Sequence, residues 1–188
     1  MKNIELLQER HRKYFHELPT RRTVLRPLTM EDVPAMFEYT SVPENFCYLR
    51  RTAHISMNED KAFIENVING YRENREFLWG IEYRENAKLI GTCRLFNVDD
   101  DEKSCEVSYI LHPDYQGRGL VAEAVKVLVN YVFTEWRFSS LVARCLVENS
   151  KSERVMLAAG MQYDGTYREY SEFNKKECTY KKYVISKL

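Results

Sequence analysis

The sequence predicts a mixed α/β fold, a predominantly antiparallel sheet with flanking helices, and three observations carry that expectation. Strand candidates at 77–83, 88–96 and 105–111 follow one another with connections too short for crossover helices, so they should pair as an antiparallel meander. The third runs directly into a glycine-containing turn and an amphipathic helix, where Val121, Ala124, Val125, Leu128, Val132 and Phe133 are spaced to pack one helix face on a sheet. Strand-like runs then resume at 141–147 and in a final pair, 165–173 and 178–185.

Taken in order, residues 4–18 set Leu7, Tyr14, Phe15 and Leu18 among many charges, the pattern of an N-terminal helix that ends before Pro19. Residues 23–28 read as a short edge strand, because Pro27 cannot donate a ladder hydrogen bond. Thr29 and Asp32 have the spacing of a capping box, followed by Met36, Phe37 and Tyr39 as core positions of a helix. After an irregular stretch at 43–56, Ala62, Phe63, Val67, Ile68 and Tyr71 recur near helical spacing, with Gly70 weakening the last turn. Residues 84–87 are a hairpin connection and 99–102 an acidic turn. A last helix, 150–159, presents Val155, Met156 and Ala159 on its apolar side and is ended by Gly160.

A chain of 188 residues suits one substantial core. Its 28 basic and 28 acidic side chains cancel, so no global field draws it onto nucleic acid or an acidic membrane. The five cysteines, at 47, 93, 105, 145 and 178, lack close metal-ligand spacing and fit buried thiols in a reducing compartment, so no metal is expected. Neither a secretory leader nor an apolar run of bilayer length stands out, and a cytoplasmic protein is expected.

The most informative stretch is 109–124, where a strand, a glycine turn and a long helix are joined. Gly117 and Gly119 let the backbone turn without a β-carbon, and Gln116, Gly117, Arg118, Gly119, Leu120 and Val121 can present successive N–H groups at the positive end of the helix. That is a cradle for an anionic ligand, although an ordinary strand-to-helix turn has the same glycine spacing. Arg118 could reach a phosphate from this loop or simply face solvent. His112 has no local nucleophile and carboxylate to work with and reads as a cap or space filler before Pro113.

With these fragments in place the chain resembles the GNAT N-acetyltransferase superfamily, in particular its RimJ/RimL-like protein acetyltransferase branch. The resemblance rests on an order: the strand at 23–28, the hairpin from Trp79-Gly80-Ile81 to Leu89-Ile90-Gly91, then Glu106-Val107-Ser108-Tyr109, Gln116-Gly117-Arg118-Gly119, and Asn149-Ser150-Lys151-Ser152 before Gly160-Met161. It implies a GNAT acyl-CoA N-acyltransferase fold over residues 23–188, with 1–22 as an N-terminal helical extension. It also implies acetyl-CoA as cosubstrate and a primary amine as acceptor, foremost the N-terminus of a protein or peptide, in a monomer or homodimer.

By the same resemblance Glu106 and Ser152 are the catalytic candidates, Glu106 polarising the incoming amine and Ser152 assisting thiolate departure. Many relatives use a tyrosine as the thiol-side acid where this chain has Met156, which cannot donate a proton. The cofactor contacts implied are Ile110 and Leu111 through backbone groups, the loop 116–121, and Asn149 toward the pantetheine arm or as a structural cap. Val121 departs from the family's small residue and brings a branched side chain to the pyrophosphate turn. By the same resemblance Phe46, Tyr48, Trp79 and Tyr170 are candidate walls of the acceptor pocket, or else simply core residues. Two alternatives stay open: a small amine as acceptor (polyamine, amino sugar or antibiotic), and a CoA-binding sensor without efficient transfer.

Overall fold

The computed structural model describes residues 2–187, with the side chains at 2–4, 7, 12 and 14 left outside that description; the expected packing of Leu7 and Tyr14 lies there. Helix α1 (Lys2–Tyr14) leads into strands β1 (Leu18–Pro19) and β2 (Thr23–Arg26), and a 3-10 turn at Met30–Asp32 opens α2 (Val33–Thr40). A second such turn, Pro43–Phe46, precedes α3 (Met57–Arg72), and the meander β3 (Phe77–Tyr83), β4 (Lys88–Asp99) and β5 (Ser104–Leu111) follows. Then come α4 (Leu120–Thr134), β6 (Ser140–Leu146), α5 (Ser150–Ala158) and the hairpin of β7 (Gln162–Ser171) with β8 (Lys176–Ser186). The eight strands form one sheet in the order β1-β2-β3-β4-β5-β6-β8-β7, antiparallel throughout except where β5 meets β6.

Alternation along the strands divides the core in two. One face carries Leu78, Leu89 and Ile110 against Met36 and Tyr39 of α2 and Ile64 and Val67 of α3. The opposite face carries Trp79, Cys93, Cys105, Val107, Leu141 and Ala143 against Leu120, Ala124, Val125 and Leu128 of α4 and Met156 of α5. Strand β4 approaches β5 so closely that a Cβ added at Gly91 would lie 2.3 Å from the Ile110 carbonyl oxygen, which is why this strand position is a glycine.

Several expectations change in detail. Strand β2 is not a bare edge, because the two-residue β1 covers its free side, and Pro27 falls just beyond its end. In α3, Ile64 is buried while Ala62 is exposed. Gly70 serves a close approach, since a Cβ there would come within 2.7 Å of the Glu76 Cβ. Asp32 closes the anticipated cap by accepting the Thr29 N–H at 2.8 Å and also holds Arg26 at 2.8 Å. Helix α1 is pinned by Arg10, which pairs with Asp100 at 2.5 Å and lies over the rings of Trp136 and Phe138. Among the described residues no helix is long and apolar enough to cross a membrane.

Candidate active site

The site is built where β5 and β6 part. Their parallel pairing covers only Ser104 with Ser140, Cys105 with Leu141 and Glu106 with Val142, after which the strands diverge and leave a gap along the second half of β5. The His112 N–H reaches the Ile90 carbonyl at 2.7 Å and so continues the β4–β5 ladder. By the alternation of that ladder, the backbone groups of Glu106, Ser108 and Ile110 face β4, and those of Val107, Tyr109 and Leu111 face the gap. Ile110 is therefore turned away from any ligand in the gap, against the sequence expectation, and Tyr109 takes that place. The Leu111 carbonyl is already held by the Asn45 and Gln116 side-chain amides, at 3.3 and 3.1 Å.

At the end of β5 the chain makes a 3-10 turn at Pro113–Tyr115, which His112 caps by accepting the Asp114 N–H at 3.2 Å. The Gln116 N–H is used on the Pro113 carbonyl at 3.0 Å, so the run of available amides begins one residue later than expected, at Gly117. The Gln116 side chain acts as a staple, donating to Asn45 at 3.0 Å and accepting from Lys151 at 3.0 Å. Gly117 and Gly119 sit at φ +74° and +76°, the left-handed region that other residues enter only with strain.

The first intrahelical bond at the head of α4 runs from Glu123 N–H to the Gly119 carbonyl at 3.1 Å. The amides of Leu120, Val121 and Ala122 are thus the unsatisfied donors of the helix N-terminus, pointing at the exposed glycine loop. Val121 buries its side chain in the core, 6 % exposed, so its branching does not crowd the loop.

Two arginines rim this loop. Arg118 lies over the Tyr115 ring at 5.3 Å. Arg22, which the sequence reading passed over, pairs with Glu123 at 2.7 Å and has its guanidinium 3.6 Å from where a Gly119 Cβ would be. Only tertiary structure joins Arg22 to α4, and no local pattern signals it. Replacing Arg22 with Ala should weaken acetyl-CoA binding roughly five- to tenfold, the scale of one lost charge-assisted contact at a screened site. The measurement is the KM for acetyl-CoA against salt; an unchanged KM at low salt refutes the contact.

The two catalytic candidates lie on opposite sides of the gap. Glu106 shares the sheet face of Arg144, and its Oε1 takes both the Arg144 guanidinium at 3.1 Å and the Asn97 amide at 2.9 Å. Oε2 takes no hydrogen bond among the described residues. On the other face the Tyr109 hydroxyl donates to the Ser152 carbonyl at 3.1 Å and lies 2.8 Å from the Ser152 hydroxyl. Burial pushes the Tyr109 phenol well above its ordinary pKa, with the Ser152 hydrogen bond opposing, so the group stays a hydroxyl.

Tyr109 is not among the catalytic candidates from sequence, yet its place three residues after Glu106 on a strand already put the two side chains on opposite faces. Asn149 caps α5 by accepting the Ser152 N–H at 3.0 Å. Met156 is fully buried and only packs.

Of the four candidate acceptor walls, Trp79 and Phe46 belong to the two cores, 0 % and 5 % exposed. The Trp79 Nε1–H is bonded to the His16 carbonyl at 2.9 Å, which fixes that ring in the core. Tyr48 and Tyr170 are exposed. Among the described residues no cluster of three or more His, Cys, Asp or Glu side chains is placed to hold a metal ion.

Comparison with known proteins agrees with this geometry. A family model described as an acetyltransferase (GNAT) domain matches residues 22–162. The uncharacterized N-acetyltransferase YoaA of Bacillus subtilis (strain 168) is 30 % identical over 156 residues, covering 83 % of this chain and 88 % of that protein. The ribosomal protein uS5 alanine N-acetyltransferase of Escherichia coli (strain K12) is 20 % identical over 158 residues, 81 % of each chain. Among solved structures, Mycobacterium smegmatis RimJ in complex with CoA-disulfide superposes with a TM-score of 0.78 at 17 % identity, covering 92 % of this chain and 90 % of that one.

Proposed function

This chain belongs to the GNAT acetyltransferase family and is an acetyl-CoA-dependent N-acetyltransferase, and we propose that the amine it acetylates is the N-terminus of a protein or peptide. The observation that carries the proposal is a gap in the sheet with a carboxylate on one side and a hydroxyl pair on the other. The pyrophosphate of acetyl-CoA rests on the amides of 117–122, and the pantetheine arm enters the gap along Tyr109. The thioester carbonyl then lies between Glu106 and Ser152.

The amine nitrogen approaches from the Glu106 side, giving up its proton to the carboxylate directly or through water, and attacks the carbonyl carbon. A backbone N–H of β5 that faces the gap receives the developing oxyanion. The C–N bond forms, the C–S bond breaks, and the leaving thiolate is protonated through the Ser152 hydroxyl, with solvent carrying back the proton that Glu106 took up, while the neutral Tyr109 hydroxyl positions Ser152.

An N-terminal α-amine suits one carboxylate already engaged by an arginine. With a pKa near 7.8, about 15 % of such amines are free base at pH 7, against roughly 0.04 % of lysine-like amines at 10.4. The relative that acetylates the alanine of a ribosomal protein supports a protein acceptor. We place the catalytic domain at 23–188, with 1–22 as an N-terminal extension, and the enzyme in the cytoplasm, where its five free thiols stay reduced. The test is product-resolved mass spectrometry over a mixed panel of peptides and small amines at substoichiometric enzyme. Acetylation confined to peptide N-termini is expected; rapid turnover of a polyamine, amino sugar or antibiotic with none of any peptide overturns the acceptor assignment.

A further inference from the structure

The segment between α2 and α3 crosses the sheet face that carries Glu106. It starts at the end of β5, where the Asn45 side chain donates to the Leu111 carbonyl at 3.3 Å. It reaches the last hairpin, where Arg50 pairs with Glu169 of β7 at 3.2 Å and lies over the Tyr180 ring of β8. Because β6 separates β5 from β8, the segment passes over β6 on the way. The register fixes the face: Glu106 pairs with Val142, Arg144 lies two residues further on, and Leu146 opposes Tyr180, so Glu106, Arg144 and Tyr180 share one side. An acceptor whose amine lies at Glu106 therefore has this segment as its neighbour.

Arg51, next along the segment, turns away from the hairpin. Its guanidinium lies over the Phe46 ring at 5.1 Å and over the Phe63 ring of α3 at 5.6 Å. Among the described residues it has neither an ion pair nor a hydrogen-bond acceptor. Its neighbours on this face are matched, Arg144 with Glu106 at 3.1 Å, Arg50 with Glu169, and Lys182 with Asp164 at 2.8 Å. Asp60 adds to the field at Arg51 from a distance, but it is fully buried and spends its carboxylate on the Thr40 hydroxyl at 2.8 Å and the His54 ring at 2.9 Å. Burial lowers the Arg51 pKa from the ordinary guanidinium value, with Tyr39 and Asp60 opposing, so a charge is held partly out of water with its donors unused. Two rings against the flat guanidinium leave its N–H edge for recognition, and the residue is partly exposed, so this edge is within reach of a ligand. The group that such an edge fits is a carboxylate, held in plane by two parallel hydrogen bonds.

We infer that Arg51 selects acceptors with an acidic side chain close to the N-terminus, its guanidinium taking the carboxylate while the amine lies at Glu106. The inference rests on the N-terminal acceptor reading and adds to it the class of peptide preferred. Arg51 is thereby a specificity residue, engaged with the acceptor away from the reacting atoms. An unpaired guanidinium also works against a polyamine, which brings only further positive charge.

The experiment measures kcat/KM on pairs of peptides that differ only by Asp against Asn at one of the first few positions, an isosteric change of charge. Wild type should favour Asp roughly tenfold at one position, the scale of one charge-assisted contact at a partly screened site, and the advantage should shrink as salt is raised. Arg51→Met, which keeps an unbranched stem against the two rings, and Arg51→Gln should each bring the ratio to about one while the acetyl-CoA KM holds. The ratio compares two substrates on one preparation, so it does not depend on how much of a variant is folded. Equal use of Asp and Asn peptides by wild type at every position overturns the inference and leaves the peptide reading intact. So does an Asp preference that survives both substitutions, which assigns it to another cation. Failure of wild type to acetylate any peptide overturns the N-terminal reading itself, and this inference with it.

Discussion

Replacing Glu106 with Gln should lower acetyl-transfer kcat by roughly 10²-fold while acetyl-CoA affinity is retained, the magnitude of one general base removed from a positioned amine. Glutamine is isosteric and keeps an oxygen for Arg144 and Asn97, which now stand 3.1 and 2.9 Å from Oε1, so the strand junction keeps its hydrogen bonds. The change removes the negative charge and the ability to take a proton. Because Glu106 sits at the last residue pair before β5 and β6 separate, it lies at the entrance of the gap rather than along the cofactor arm. Binding and chemistry should therefore come apart.

The pH profile adds a second reading. Without the carboxylate, turnover of an N-terminal acceptor should climb with pH up to about 8 as the amine itself loses its proton. Wild type, with a base in place, should show a shallower rise over the same range. Single-turnover rates at saturating acceptor separate transfer from product release. An unchanged single-turnover rate defeats the base assignment, and weakened acetyl-CoA binding with unchanged chemistry makes Glu106 a strut of the strand junction.

How much of this was legible beforehand depends on sequence distance. The meander from β3 to β5 was readable because antiparallel neighbours are joined by tight turns, and the turn after β3 needs only Ala87 at φ +53° to close. Loop and helix at 117–134 were readable because glycine freedom and apolar periodicity are local properties. The order β6-β8-β7 was not, since the last strand returns to lie between β6 and the strand preceding it, a choice made by packing.

The site divides in the same way. Gly117 and Gly119 announced themselves by residue type and spacing, whereas Glu106 and Ser152 came forward only through the family resemblance. Arg22 meets Glu123 across a separation of 101 residues, and Tyr109 meets Ser152 across 43; no window of sequence contains either pair. Trp79 stayed ambiguous for a physical reason: an aromatic that lines a pocket and one that fills a core are the same letter. Only the bond from its indole to His16, with full burial, tells them apart.

The thiol side of the reaction should behave as a pair. Ser152→Ala removes the hydroxyl proposed to protonate the departing thiolate and, on that proposal, should lower kcat by roughly 10²-fold, with acetyl-CoA affinity little changed. Tyr109→Phe leaves that hydroxyl in place without its 2.8 Å partner and should cost about tenfold. In the double variant the Tyr109 loss should largely vanish, because a Tyr109 that acts by positioning the Ser152 hydroxyl has nothing to position once that hydroxyl is gone. Met156, fully buried, has no proton to substitute. The Asn149 cap on the Ser152 N–H, at 3.0 Å, holds the backbone of this turn in all three variants, so a changed rate does not reflect a lost helix start. Losses that simply multiply in the double variant would make Tyr109 and Ser152 independent contributors, and single-turnover rates equal to wild type in all three would leave departure of the thiolate to cofactor positioning alone.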